Sequence, residues 1–219
     1  MSVWDNAFAI SIVPVLLKGL WLTIQITLVG FVISLIVGLV VAVIRYLKIP
    51  IISPLATFYV SFVRGTPLLV QAYVAFYVLP LLGVTFDALP TGIVVIGLNY
   101  SAYTAEVYRA GIEQLHKGQW EAATALSLPR WRTWVRIVIP QAVRPIIPVL
   151  GNYLIMMFKD SAILSSITII ELLGSALSIG SSYYRYLEPI TIIGLMYFAI
   201  SFPCSLLIKK LERRFVPQH

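Results

Sequence analysis

From Gly19 to Ile44 the chain runs for 26 residues without a charged side chain. As a helix rising 1.5 Å per residue, such a run reaches about 39 Å, more than the roughly 30 Å of a bilayer's hydrocarbon core. The rest of the sequence agrees with that constraint: 59% of the 219 residues are hydrophobic, 11% are charged, and the mean hydropathy is +0.92. These values describe an integral membrane protein. Lipid offers the backbone no hydrogen bonds, so an all-α helical bundle is expected, with residues 1–219 forming a single transmembrane domain.

Further apolar runs divide the chain into five expected spans, at about 17–46, 55–82, 89–113, 133–158 and 188–210. Arg64-Gly65-Thr66-Pro67 interrupts the second, and Pro140, Pro145 and Pro148 should bend the fourth by removing backbone donors. Residues 161–187 are rich in Ser and Gly and too polar for a span; short helices near a membrane face are expected there. Basic residues set the orientation. Arg45, Lys48 and Arg64 flank one connection, a second basic group lies between Arg109 and Arg136, and Lys209, Lys210, Arg213 and Arg214 close the chain. Asp5, Lys18, Asp87, Glu171, Arg185 and Glu188 fall to the other side, which places the N-terminus outside and the C-terminus in the cytoplasm. Asp5 and the lack of basic residues before the first apolar run argue that this run stays as an anchor.

Several function classes drop out. The formal charge of +7 comes from residues that punctuate apolar runs, so topology explains it and nucleic acid does not. Cys204 is the single cysteine, and His116 and His219 are too far apart in sequence for a metal-binding spacing. No GxxxxGK[ST] is present to hold nucleotide phosphates, and no Ser, His and Asp set points to a catalytic site. No catalytic residue, metal ligand or cofactor is therefore assigned to this chain.

One long polar interruption remains, GQWEAATALSLPRWRTWVRIVIPQA, which starts at Gly118. Gly118 is suited to an N-cap, Glu121 at the third helical position meets the helix dipole, Ala122, Ala123 and Ala125 favour helix, and Pro129 stops it. A short helix over about 118–128 is expected at the cytoplasmic surface. By periodicity alone it is an ordinary interfacial helix.

Its motif says more. Gly118-Gln119-Trp120-Glu121-Ala122-Ala123, with Pro140-Gln141-Ala142 further along, resembles the signature loop of permease subunits of ATP-binding-cassette importers. Three further stretches resemble the polar amino-acid branch of that family, in its order: Val63 to Gln71 (VRGTPLLVQ), Ala105 to Ile112 (AEVYRAGI) and Lys159-Asp160-Ser161. The resemblance implies the type I importer permease fold in a prokaryotic plasma membrane. It implies an ATPase subunit that carries ATP and Mg, an extracytoplasmic solute-binding protein and a second permease chain, identical or paralogous. It also implies that Gly118, Glu121, Ala122, Ala123, Ser127 and Pro129 belong to the coupling loop. Ser127 stands where the family usually has Gly, and Gly takes a left-handed turn at less cost, so a difference either in the local turn or in the tightness of the docking is expected.

Substrate contacts are sought among polar residues within the bilayer, where a charge costs about 2.5–3.5 kcal/mol and needs a partner or a role. Lys159 and Asp160 offer one charge of each sign to a zwitterion; an ion pair or a span boundary would equally explain them. Asn99 and Tyr103 lie one turn apart and could line one cavity. Glu106 continues that face and is read as a structural partner of Arg109 or Arg64; Arg64 itself is a gate or a packing corner. Two rival readings stay open: an ion-gradient-driven transporter or channel subunit, and a non-transporting scaffold.

Overall fold

The computed structural model describes residues 4–215, and nearly all of them are helical. The first helix, α1 (Asn6–Leu47), begins well before the expected position 17 because Asp5 caps it. The Asp5 carboxylate accepts from the N–H groups of Ala7 and Phe8 at 2.9 and 3.2 Å, satisfying two of the donors that a helix start leaves free. Lys48 in a left-handed conformation ends it.

The expected second span is broken. α2 (Ile52–Gly65) and α3 (Leu68–Tyr73), which continues as tighter and wider turns to Leu82, meet at 107°. Pro67 lacks an N–H and forces Thr66 into an extended conformation, which frees carbonyls at the end of α2. Gln71 repairs the break. Its Nε2 donates to the carbonyls of Val63 and Thr66 and to Thr66 Oγ1 at 2.9, 3.2 and 2.8 Å, while its Oε1 accepts from Asn99 Nδ2 at 3.0 Å.

α4 (Ala88–Glu113) is the central helix and lies along α1. Small residues bring the two together: a Cβ on Gly38 would stand 2.9 Å from the Ser101 carbonyl oxygen, and one on Gly97 would stand 3.1 Å from that of Gly30. Thr104 Oγ1 donates across the contact to the Ser34 carbonyl at 2.7 Å. Three apolar clusters fill the bundle. One joins Ile26, Ile96 and Met157, the second Val41, Val60 and Ala102, and the third Leu16, Leu172 and Ile193.

α5 (Lys117–Ala125) is the short polar helix, and α6 (Arg130–Thr133) leads through a π-helical turn at 134–138 into α7 (Ile139–Asp160). A second π turn lies at 74–78. Both precede a proline, Pro140 and Pro80. A proline ring clashes with the carbonyl four residues upstream, and here that position, 136 or 76, falls inside the widened turn. After a 3-10 turn at 161–167 come α8 (Leu172–Tyr183) and α9 (Leu187–Phe215).

By length and composition, residues 6–47, 130–167 and 187–215 can each cross a membrane, and the bent pair at 52–82 would make a fourth span. The five-span expectation therefore depends on α4. Its 26 residues are long enough, and the polar residues Asn99 and Ser101 at its centre are buried against protein. The fourth expected span also starts earlier, at Arg130 in place of 133. Glu171 and Glu188, read from sequence as charges on the outer side, are 0% and 1% exposed.

Candidate functional site

Two places in the fold carry the sequence candidates. The first is a cavity of about 680 Å³ lined from the α2–α3 break, α4 and α7. Arg64, Thr66 and Leu68 come from the break, Asn99, Tyr100 and Tyr103 from α4, and Tyr153, Met156 and Asp160 from α7. Positions 99, 100 and 103, and 153, 156 and 160, recur at helical spacing, so each helix turns one stripe toward the same space. Three tyrosine rings form a near-equilateral triangle, with centroids 6.0 Å apart for Tyr100 and Tyr103, 6.2 Å for Tyr100 and Tyr153, and 5.9 Å for Tyr103 and Tyr153.

The candidates divide within this cavity. Asp160 lines it and accepts a hydrogen bond from the Tyr100 hydroxyl at 2.7 Å. Lys159 does not line it: neighbouring residues on a helix point about 100° apart, and Lys159 faces outward, exposed. Of the oppositely charged residues at 159 and 160, only Asp160 lines this cavity, and the basic residue on its wall is Arg64. Arg64 lies over the Tyr103 ring, its Cζ 5.4 Å from the centroid. Asn99 is on the wall, but its amide N–H is committed to Gln71, so it braces the break as much as it faces the space.

Glu106 is the anchor beneath the cavity. Its Oε1 accepts from Arg45 Nη1 at 2.6 Å, and its Oε2 accepts from Arg109 Nε and Nη2 at 3.0 and 2.7 Å. Arg64 Nη1 stands 3.9 Å from Oε1. The sequence pointed to Arg109 and Arg64 and missed Arg45, the closest partner. Gln71, Tyr100 and Tyr153 were missed as well. Gln71 lay inside a stretch already singled out, and Tyr100 adjoins Asn99, whereas nothing in the pattern around Tyr153 marked it.

The second place is α5. His116 is its N-cap, with Nδ1 accepting from the Gly118 N–H at 3.1 Å, so Gly118 and Glu121 both sit two positions deeper in the helix than the sequence suggested. Glu121 and Ala122 are exposed, while Ala123 is 3% exposed and faces the protein. The turn after the helix is left-handed even without glycine: Ser127 has φ 51°. Its N–H bonds the Thr124 carbonyl at 2.9 Å and that of Leu128 bonds the Ala123 carbonyl at 3.0 Å, a Schellman closure. The expectation that serine would change the turn is not met, and the strain of a left-handed non-glycine residue is about 1–2 kcal/mol. Pro129 comes next, as the cap of α6.

α5 is also fastened to its neighbours. Trp120 packs edge-on against Trp134 at 5.4 Å, Trp134 packs against Tyr46 at 5.2 Å, and Gln141 Nε2 donates to Gln119 Oε1 at 3.2 Å. From Arg130 the helical run continues unbroken to Ile167, through Tyr153, Met156 and Asp160 on the cavity wall.

Residues 34–217 match the family of binding-protein-dependent transport system inner membrane components. The chain belongs to this family. Among curated relatives, a probable amino-acid ABC transporter permease protein of Sinorhizobium fredii, y4tG, is 41% identical, with 98% of this chain and 96% of the relative covered. The L-cystine transport system permease protein TcyB of Bacillus subtilis is 37% identical over 92% of this chain and 86% of its own length. Among solved structures, an amino acid ABC transporter crystallised with histidines superposes at a TM-score of 0.91 with 36% identity, covering 96% of this chain and 99% of that one. The fold is thus that of a type I ABC importer permease, and the permease is a membrane-embedded subunit of such a transporter.

Proposed function

We propose that this permease forms the translocation path of an ATP-driven amino-acid importer in a prokaryotic inner membrane. The partners are an ATPase subunit that binds ATP and Mg, an extracytoplasmic solute-binding protein, and a second permease chain, identical or paralogous. The N-terminus lies outside and the C-terminus in the cytoplasm, a reading supported by the distribution of the basic residues. The cavity at Arg64, Tyr103 and Asp160 receives the substrate, and α5 is the coupling helix.

One observation carries the reading: the exposed Glu121–Ala122 face of α5 is tied through Trp120, Trp134, Gln119 and Gln141 to a helical run that passes along the cavity wall. ATP binding and hydrolysis on another subunit can drive transport only if the displacement arrives undamped, and a capped helix clamped to a continuous rod transmits it where a loop would absorb it. Alternating access then arises from different affinities of the ATPase and the binding protein for the inward-open and outward-open states.

The test is amino-acid uptake into proteoliposomes containing the permease, its ATPase and its binding protein. Glu121→Lys reverses a charge on the face offered to the ATPase and is expected to abolish uptake while leaving the permease folded. Uptake that proceeds at the same rate without any ATPase would establish the gradient-driven alternative instead.

A further inference from the structure

The end of α1 and the start of the helical run at Arg130 change character together. Val43 and Leu47 on α1, and Val135 and Ile139 on the run, are exposed apolar side chains of the kind that face lipid. The exposed residues next to them are cations: Lys48 after α1, and Arg130 and Arg132 in α6. Tyr46, Trp131 and Trp134 stand at this boundary, as aromatic residues do where a bilayer meets water.

At the same level the fold leaves a cavity of about 450 Å³. Tyr46 borders it from α1, Trp120, Ala123 and Thr124 from α5, and Arg130 and Trp134 from the segment that follows. That volume suits a small polar group of many atoms. Its charge is one-sided. Arg130 has no ion-pair partner among the described residues, and neither have Lys48, Lys117 and Arg136 nearby in the chain. Glu121 is the only acidic residue from 114 to 159, and it does not line the cavity.

α5 separates this space from the face read above as the ATPase contact. Each helical residue advances about 100°, so positions 120, 123 and 124 lie on one side of α5 and 121, 122 and 125 on the other. An ATPase seated on the Glu121–Ala122 side leaves the Tyr46 side open to whatever arrives along the membrane surface. Basic pockets at that depth attract anionic head groups.

We propose that this cavity binds the head group of an anionic phospholipid, its phosphate on Arg130 and its acyl chains in the bilayer. The head group fills the space between α1 and α5 and props the coupling helix from the side opposite the ATPase, so less of the ATPase's displacement is lost. The proposal rests on the reading of α5 as a coupling helix at the cytoplasmic surface.

Native mass spectrometry of the purified permease–ATPase complex, offered equimolar phosphatidylglycerol and phosphatidylcholine, reads the preference directly. The wild type is expected to retain phosphatidylglycerol at least about fivefold over phosphatidylcholine, the discrimination that one surface cation supplies. Arg130→Gln is expected to lose this preference, and Lys210→Gln, a cation outside the cavity, to keep it. Thr124→Leu fills the cavity with the charge unchanged and is expected to lose it as well. In proteoliposomes, amino-acid uptake per ATP hydrolysed is expected to rise with phosphatidylglycerol content in the wild type and to stay flat in Arg130→Gln. Equal retention of the two lipids by the wild type, or full preference in either Arg130→Gln or Thr124→Leu, overturns the proposal. Inorganic phosphate that restores uptake in phosphatidylcholine would identify a free anion instead, and loss of the ATPase from a monodisperse Arg130→Gln permease would make Arg130 a protein contact; either result also overturns it. Uptake that requires the ATPase in the wild type keeps the importer reading in place whatever the lipid result.

Discussion

Two carboxylates, one toward each end of the bundle, each join several helices, and they are held by different donors. At the α8 end, Glu171 accepts from the backbone N–H groups of Gly174 and Leu173 at 2.8 and 3.0 Å, and from the hydroxyls of Thr23 and Tyr197 at 3.2 Å each. It caps α8 while holding α1 and α9, with no basic residue among its described partners. At the α5 end, Glu106 is held by arginines and keeps 20% of its side-chain surface exposed. Fixed neutral dipoles suffice where water is absent and the geometry is closed by backbone; charged arms suit an end where water can replace them. The first tie is stiff, and the second can be remade.

That contrast can be broken by measurement. The largest effect is expected for Glu171→Ala, which removes the α8 cap and the shared acceptor that joins Thr23 of α1 to Tyr197 of α9. It should cost about 3–5 kcal/mol, read as a fall in the thermal unfolding midpoint of the detergent-solubilised complex. Glu106→Gln should cost less, about 1–2 kcal/mol, because the partly exposed arginines recover water. If Glu106→Gln proves the more damaging of the two, the comparison is inverted. Thr23→Val tests one arm of the stiff tie: Thr23 also receives the Leu172 N–H at 3.1 Å, and about 1 kcal/mol should be lost. The smallest effect separates the two chemistries. Raising ionic strength from about 0.1 to 1 M shortens the screening length from roughly 10 to 3 Å, so it should shrink the penalty of Glu106→Gln and leave that of Glu171→Ala unchanged.

The range of each interaction decides whether it is legible in the sequence. Apolar runs, the breaking of the second span at Arg64-Gly65-Thr66-Pro67 and the short helices after residue 161 depend on local composition, and they were legible. The start of α1 was not, because Asp5 reads as a topological charge when it is a cap. Glu171 and Glu188 mislead for the same reason: an acidic residue in a polar stretch looks solvated until the helices that bury it are assembled. Lys159 and Asp160 are indistinguishable in sequence, since which of two adjacent residues faces inward depends on the rotation of α7. Glu106 is legible as a structural partner, yet Arg45 lies 61 residues away and no spacing rule reaches it. Ser127 shows the reverse, a local propensity overruled by the closing bonds at Thr124 and Ala123.

The elbow at Thr66-Pro67 is not a free joint. The single side chain of Gln71 is bonded to two carbonyls before the bend, to a hydroxyl at it and to the amide of Asn99 on the neighbouring helix. Straightening the elbow, or swinging its outer arm away from α4, must first strip this rivet and leave donors and acceptors bare in a low-dielectric interior. The cavity is thus bordered by a corner that turns with α4 as one piece, so whatever rotates the central helix also carries the arginine at the corner.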